Sequence, residues 1–278
     1  TDKMYFRAQE SRTGTEPYII TSKDPFPSIV SVTSTTSDDT YKAGDAINIT
    51  VNFSEAVSLS SGGSMTVTLE TGSTDQTVKI ESISNATSAS GTYTVVAGDV
   101  SSDLNVKSIT VSGTLSDNSG QIMEDYSIGS NLSSSKAIVV DALSPTVASV
   151  KSTSTNTTYG TGASINITVN FSEAVSLSSD GSMTVTLETG DTDRTVSITS
   201  ISSATSASGT YTVQDLDASL DLDVKTIALA SGSLTDAAGN AMSSFTIPSG
   251  NNLSDNNAIV INTAKPSTPT SFVVSSNY

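Results

Sequence analysis

The sequence predicts an all-β protein built as two β-sandwiches in tandem. Apolar residues alternate with polar ones at period two, the pattern recurs at a long offset, and no segment carries a convincing 3.6-residue period. The repeat is the strongest of these observations. The fifteen residues from Ile47 to Ser61 return unchanged as Ile165 to Ser179, an offset of 165 − 47 = 118. At the same offset Met65–Glu70 matches Met183–Glu188 and Ala86–Val95 matches Ala204–Val213. Toward the end the offset grows by up to three residues, so that Ala137–Val139 pairs with Ala258–Val260, which places small insertions in the last long loop. Two homologous domains are therefore expected at residues 24–141 and 142–262. They are flanked by an N-terminal extension, 1–23, and a C-terminal segment, 263–278.

The strands follow in chain order. The first repeat opens with the apolar run Val30–Val32. Next, Ile47, Ile49, Val51 and Phe53 alternate with Asn48, Thr50 and Asn52, the pattern of a half-buried strand. Met65, Val67 and Leu69 alternate in the same way with Thr66 and Thr68. Val78–Ile80, Tyr93–Val95, Ile109–Val111 and Ile138–Val140 complete about seven strands within about 118 residues, separated by Gly, Ser, Asp and Asn turns. That count and spacing indicate an immunoglobulin-like sandwich. Outside the repeats, Tyr5–Ala8, a Ser11–Gly14 turn and Tyr18–Ile20 read as a hairpin, and Ser271–Val274 reads as one further strand. These ends are expected to be pieces of neighbouring domains or strands exchanged between subunits.

Composition narrows the function. The 278 residues carry 12 Lys+Arg against 28 Asp+Glu, a formal net charge of −16, so the chain cannot neutralise a phosphate backbone. A basic membrane-binding patch fails for the same reason, and no run approaches the roughly 20 apolar residues of a membrane span. Cysteine and histidine are absent, which removes disulfides, thiol and imidazole catalysis and the usual zinc ligands. Trp is absent too, and Tyr93 and Tyr211 sit at inward strand positions, so the aromatic platform of a sugar hydrolase is missing. No enzymatic activity is expected. Ser and Thr make up about a third of the chain, which suits the hydroxyl-rich outer faces of a β-protein. The opening Thr1–Met4 has no apolar leader, as expected of a mature or excised fragment. An acidic, cysteine-free composition of this kind suits a bacterial extracellular surface.

One chemistry remains open. If each of seven strands reverses direction, the second, fourth and sixth end at the pole where the first begins. Three acidic features then share the linker pole of each repeat. Asp141 precedes Pro145, as Asp24 precedes Pro27. Phe-Ser-Glu ends the second strand, giving Glu55 and Glu173. Asp117 and Asp236 open turns ending in Gly120-Gln121 and Gly239-Asn240. Asp141, Glu173, Asp236 and Asn240 should therefore converge where the repeats meet, faced by Asp99 and Asp103 of the first repeat. Gathered carboxylates repel one another unless a cation neutralises them, and an oxygen-only set points to Ca²⁺. The competing reading is that Asp, Asn and Gly stand there as solvated turn residues.

The residues Tyr41–Asp45, Ile47–Val57, Leu69–Gly72, Thr235–Asn240 and Val139–Pro145 together resemble the bacterial immunoglobulin-like (cadherin-like) tandem repeats of very large extracellular adhesins, over residues 24–262. The resemblance implies a non-catalytic structural spacer with Ca²⁺ between domains, holding an adhesive module away from the cell. The partners expected are neighbouring immunoglobulin-like domains or identical subunits, with a cell-surface or glycan receptor. The sequence departs from the pattern at Asp117–Gln121, in place of Asp-Ala-Ala-Gly-Asn, and at Asn262, in place of the linker Asp. Two other functions fit the same strands: a subunit of a filament, surface layer or virion joined by its terminal segments, and a carbohydrate-binding accessory module of a secreted hydrolase.

Overall fold

The computed structural model describes residues 26–265 together with the backbone of Met4–Tyr5 and Ile19–Ile20. It is nearly all-β, with 50% of residues in strands and 3% in helices, several separate sheets and no barrel. The chain divides into two compact units. The first takes residues up to 40, 45–95 and 99–140, and the second takes 41–44, 96–98 and the chain from 141 onward.

In the first unit β1 (Met4–Tyr5) pairs antiparallel with β2 (Ile19–Ile20), as a hairpin requires; the expected turn at 11–14 lies outside the described residues, as does the expected strand at 271–274. There follow β3 (Ile29–Thr33), β4 (Thr40–Tyr41), β5 (Ala46–Leu59), β6 (Ser64–Leu69), β7 (Gln76–Ile80), β8 (Ala86–Thr94) and β9 (Val100–Ser101). The chain continues through β10 (Val106–Ser112), β11 (Leu115–Asp117), β12 (Ile128–Ser130) and β13 (Val139–Asp141). One sheet is built on β5, which pairs with β3, β8 and β11, while β12 lies parallel to β3. Another runs β10-β6-β7 and a third β4-β13-β9.

The second unit repeats this order: β14 (Val147–Lys151), β15 (Thr158–Tyr159), β16 (Ser164–Leu177), β17 (Ser182–Glu188), β18 (Arg194–Ile198), β19 (Ala204–Thr212), β20 (Ala218–Ser219), β21 (Asp223–Ser231), β22 (Leu234–Thr235), a one-turn helix α1 (Leu253–Asn256) and β23 (Val260–Asn262). The register repeats as well. Ile47 faces Tyr93 and Asn52 faces Ser88; Ile165 faces Tyr211 and Asn170 faces Ser206. Alternation then sends Ile165, Ile167, Val169 and Phe171 of β16 into one core with Met183, Val185 and Leu187 of β17. Each such side chain removed from water contributes about 1.5–3 kcal/mol.

The outward residues of the long strand are hydroxyls and amides that bond across the ladder. Thr50 Oγ1 lies 2.8 Å from both Asn48 Oδ1 and Ser90 Oγ, and Thr168 repeats both contacts with Asn166 and Ser208. This is how a chain with so much Ser and Thr still builds regular sheet. Each of the seven expected strands is present. The short β4, β9, β11 and β12 are additional.

Candidate metal centre

The long strand differs from expectation in a way that builds the site. Phe-Ser-Glu does not end it: β5 and β16 run on to Leu59 and Leu177, 14 residues each. Their first halves pair with β8 and β19. After an irregularity between Asn170 and Val175, the far end of β16 pairs with β22, Ser176 opposite Thr235 and Leu177 opposite Leu234. Glu173 stands in that irregular stretch, where an interrupted ladder re-aims a side chain. Asp236 stands just past β22, in a tight turn that Gly239 closes at φ +87°, a conformation suited to glycine. Asp141 ends β13, where the chain enters the second unit.

Asp141, Glu173 and Asp236 each offer a carboxylate oxygen, and the three oxygens lie within 4.8 Å of one another. Asp236 is buried and the other two half-buried. Two oxygens bound to one Ca²⁺ at 2.3–2.6 Å are at most about 5 Å apart, so the spacing fits that ion. The donor set, hard oxygens only, fits it too. The Glu173 carboxyl is held above its ordinary range, first by burial and then by the charges of Asp236 and Asp141. Asn240 completes the group. Its side-chain Nδ2 donates to Asp236 Oδ2 at 2.9 Å and to the Asp141 carbonyl at 2.8 Å, and its backbone N–H donates to Asp236 Oδ1 at 2.8 Å.

The first unit holds the counterparts Glu55, half-buried in the irregular stretch of β5, and Asp117, buried at the end of β11 opposite Val57. Asp24 lies outside the described residues. Asp117 Oδ1 accepts from the N–H groups of Ser119 and Gln121 at 2.9 and 2.7 Å. Its Oδ2 is buried, and no donor among the described residues reaches it.

Asp99 and Asp103 belong to the first unit, whereas the three grouped carboxylates belong to the second. Asp103 is exposed. Asp99 is buried: Tyr93 Oη donates to Oδ2 at 2.6 Å and Gln76 Nε2 to Oδ1 at 2.9 Å. The second unit repeats this network around Asp217. Tyr211 Oη donates to Oδ2 at 2.6 Å, Gln214 N–H to the same oxygen at 2.8 Å, and Arg194 Nε to Oδ1 at 2.8 Å. Both tyrosines are buried as expected, but each carries a carboxylate partner that alternation alone does not reveal. The available signal was the recurrence of Tyr and Asp six residues apart in both repeats.

The open groove along β21, lined also by Phe245 and Ile247, contains Lys225 as its single titratable lining residue. Lys225 is held by Glu188 and Asp193, both at 2.9 Å. No helix among the described residues is long and apolar enough to cross a membrane. Comparison with protein-family models finds no matching family, and comparison with curated proteins finds no matching sequence.

Proposed function

We propose that the chain is a non-catalytic extracellular spacer of an adhesive surface protein. In this reading its units are immunoglobulin-like sandwiches in tandem, and Asp141, Glu173 and Asp236 hold Ca²⁺ where the second begins. The observation that carries the reading is the convergence of those three carboxylates within 4.8 Å, one of them from the connecting chain itself. A cation there fastens the incoming chain to β16 and to the turn after β22, which restrains the connection. Repetition of a whole strand order, with outer faces of Ser, Thr and Asn, suits a module used for length rather than for chemistry.

Calcium titration of the full chain by calorimetry tests the metal. A binding event in the micromolar to millimolar range that Glu173→Gln and Asp236→Asn both remove supports the reading, and heat signals unchanged in those variants end it. Small-angle scattering in EDTA and in millimolar Ca²⁺ tests the spacer: a maximum dimension indifferent to calcium counts against restraint. A second reading, a subunit of an extracellular filament or surface layer, draws on β1 and β2, which form a two-stranded sheet of their own. It requires that deletion of residues 1–23 abolish oligomers seen by light scattering.

A further inference from the structure

The two repeats differ at three residues of the acidic turn, Asn118, Ser119 and Gln121 against Ala237, Ala238 and Asn240, and the last of these differences falls beside a buried charge. In the second unit the Asn240 amide occupies Asp236 Oδ2 and ties it to the Asp141 carbonyl. In the first unit Gln121 stands at that place in the turn, and Asp117 Oδ2 is buried with no donor among the described residues. The backbone is otherwise alike. Asp117 N–H donates to the Gln121 carbonyl at 3.0 Å as Asp236 N–H does to that of Asn240 at 3.2 Å, and Gly120 and Gly239 both have φ near +85°. Asp117 is only 6% exposed. A buried carboxylate oxygen left unpaired carries its full desolvation cost.

Building on the calcium reading above, we propose that the units depend on the cation unequally. The first requires a divalent cation at Asp117 Oδ2, with Glu55 at the register position that Glu173 holds in the second. The second carries an internal substitute, the Asn240 amide, and keeps its acidic turn folded without metal. A hard cation is the partner that the oxygen lacks. The Asn240 amide, a donor placed between two oxygens, occupies part of the place such an ion would take. The departure of Asp117–Gln121 from the Asp-Ala-Ala-Gly-Asn form therefore makes the ion more necessary in the first unit, not less.

Hydrogen exchange of the full chain, read by mass spectrometry on peptides covering 115–123 and 234–242, separates the two turns. In EDTA the first segment should exchange about tenfold faster than the second, the equivalent of one unsatisfied buried acceptor. Millimolar CaCl₂ should close that gap, and MgCl₂ at equal concentration, with its stricter geometry, should close it less. Gln121→Asn, which shortens the side chain by one methylene and sets its amide where that of Asn240 stands, should remove most of the calcium response at 115–123, and Asn240→Gln should create one at 234–242. Asp117→Asn should protect the first segment in EDTA; if that variant fails to fold, the two Asn/Gln exchanges still decide. Equal protection of 115–123 in EDTA and calcium, with calcium still protecting 234–242, overturns this inference and leaves the spacer reading standing. Indifference of both segments to calcium overturns both.

Discussion

The two tyrosine–carboxylate networks exchange Gln76 for Arg194, and that exchange has a measurable consequence. Burial alone would raise the Asp217 carboxyl, but the Tyr211 hydroxyl, the Gln214 N–H and Arg194 outweigh it and hold Asp217 below its ordinary range. A carboxylate whose folded pKa is depressed contributes stability above the unfolded value, about 3.9, and that contribution is lost as pH falls through the folded value. Asp217→Asn should therefore cost about 2–4 kcal/mol at pH 7, because it strands the Arg194 charge, and should flatten the acid limb below about pH 4. Urea unfolding across pH 2–7 measures both; an unchanged acid limb would show that the network does not carry the linkage. The converse change, Gln76→Arg beside Asp99, should stabilise the first unit by roughly 1 kcal/mol. Glu173 has the opposite sign. Its carboxyl is raised, so without a cation the fold favours the protonated form and loses stability as pH rises through the folded value. Glu173→Gln should then raise the metal-free melting temperature of the second unit at pH 7 while abolishing the calcium-induced rise of that unit. A calcium-induced rise of the second unit that survives in the variant would exclude Glu173 as a ligand. The three carboxylates were legible because the repeat displays them twice at matched places. The role of Asp99 was not, since an acidic residue in a turn reads the same whether it faces solvent or folds back onto a buried hydroxyl.

At the scale of elements, period two exposes the long strands but not the short ones that redirect them. β5 and β16 were expected to stop near Phe53 and Phe171 because the clean alternation stops there. In fact the ladder is interrupted for a few residues and resumes with a new partner, and the interruption positions Glu55 and Glu173. Two-residue strands such as β4 and β20 carry too few side chains to show any period. β12 illustrates a steric cause. A Cβ on Gly129 would lie 2.6 Å from the Val30 carbonyl oxygen, so only glycine permits the close parallel approach to β3. The corresponding residue of the second repeat is Pro248, and residues 245–248 form no strand there. Close approach also governs the middle of β8 and β19. A Cβ on Gly91 would meet Val78 Cγ1 at 2.3 Å, and one on Gly209 would meet Val196 Cγ1 at the same distance. Gly91→Ala and Gly209→Ala should each cost about 1–3 kcal/mol through overpacking, although alanine is the better residue for an open strand. Denaturant midpoints that do not fall would mean that Val78 and Val196 simply yield.

For the whole molecule, the repetition that makes the architecture readable also creates an ambiguity in folding. β5 and β16 share an unbroken run of residues, and β8 and β19 are identical over all nine of theirs. The β5–β8 and β16–β19 ladders therefore present the same pairs in the same register, and a crossed ladder of β5 with β19 has no local penalty. What discriminates against it is loop closure and the rest of each core: the crossed pair spans more than a hundred extra residues, and closure cost grows only slowly with length. All-β topologies of long-range contacts fold slowly enough for such pairing to compete, and exchange between like modules is a characteristic failure of repeat proteins. Refolding of the full chain from denaturant should thus divide into a direct phase and a slow phase limited by unfolding of crossed species. Double-jump experiments distinguish these, because the slow fraction should accelerate with moderate denaturant. Making the copies differ on their outer faces tests the cause. Replacing Thr50 and Ser90 by a Glu–Lys pair in the first unit, and Thr168 and Ser208 by Lys–Glu in the second, puts like charges opposite each other only in crossed ladders. That chain should lose most of its slow phase, while one carrying Glu–Lys in both units should keep it. Equal slow fractions in the two chains would place the trap elsewhere than in the identity of the strands.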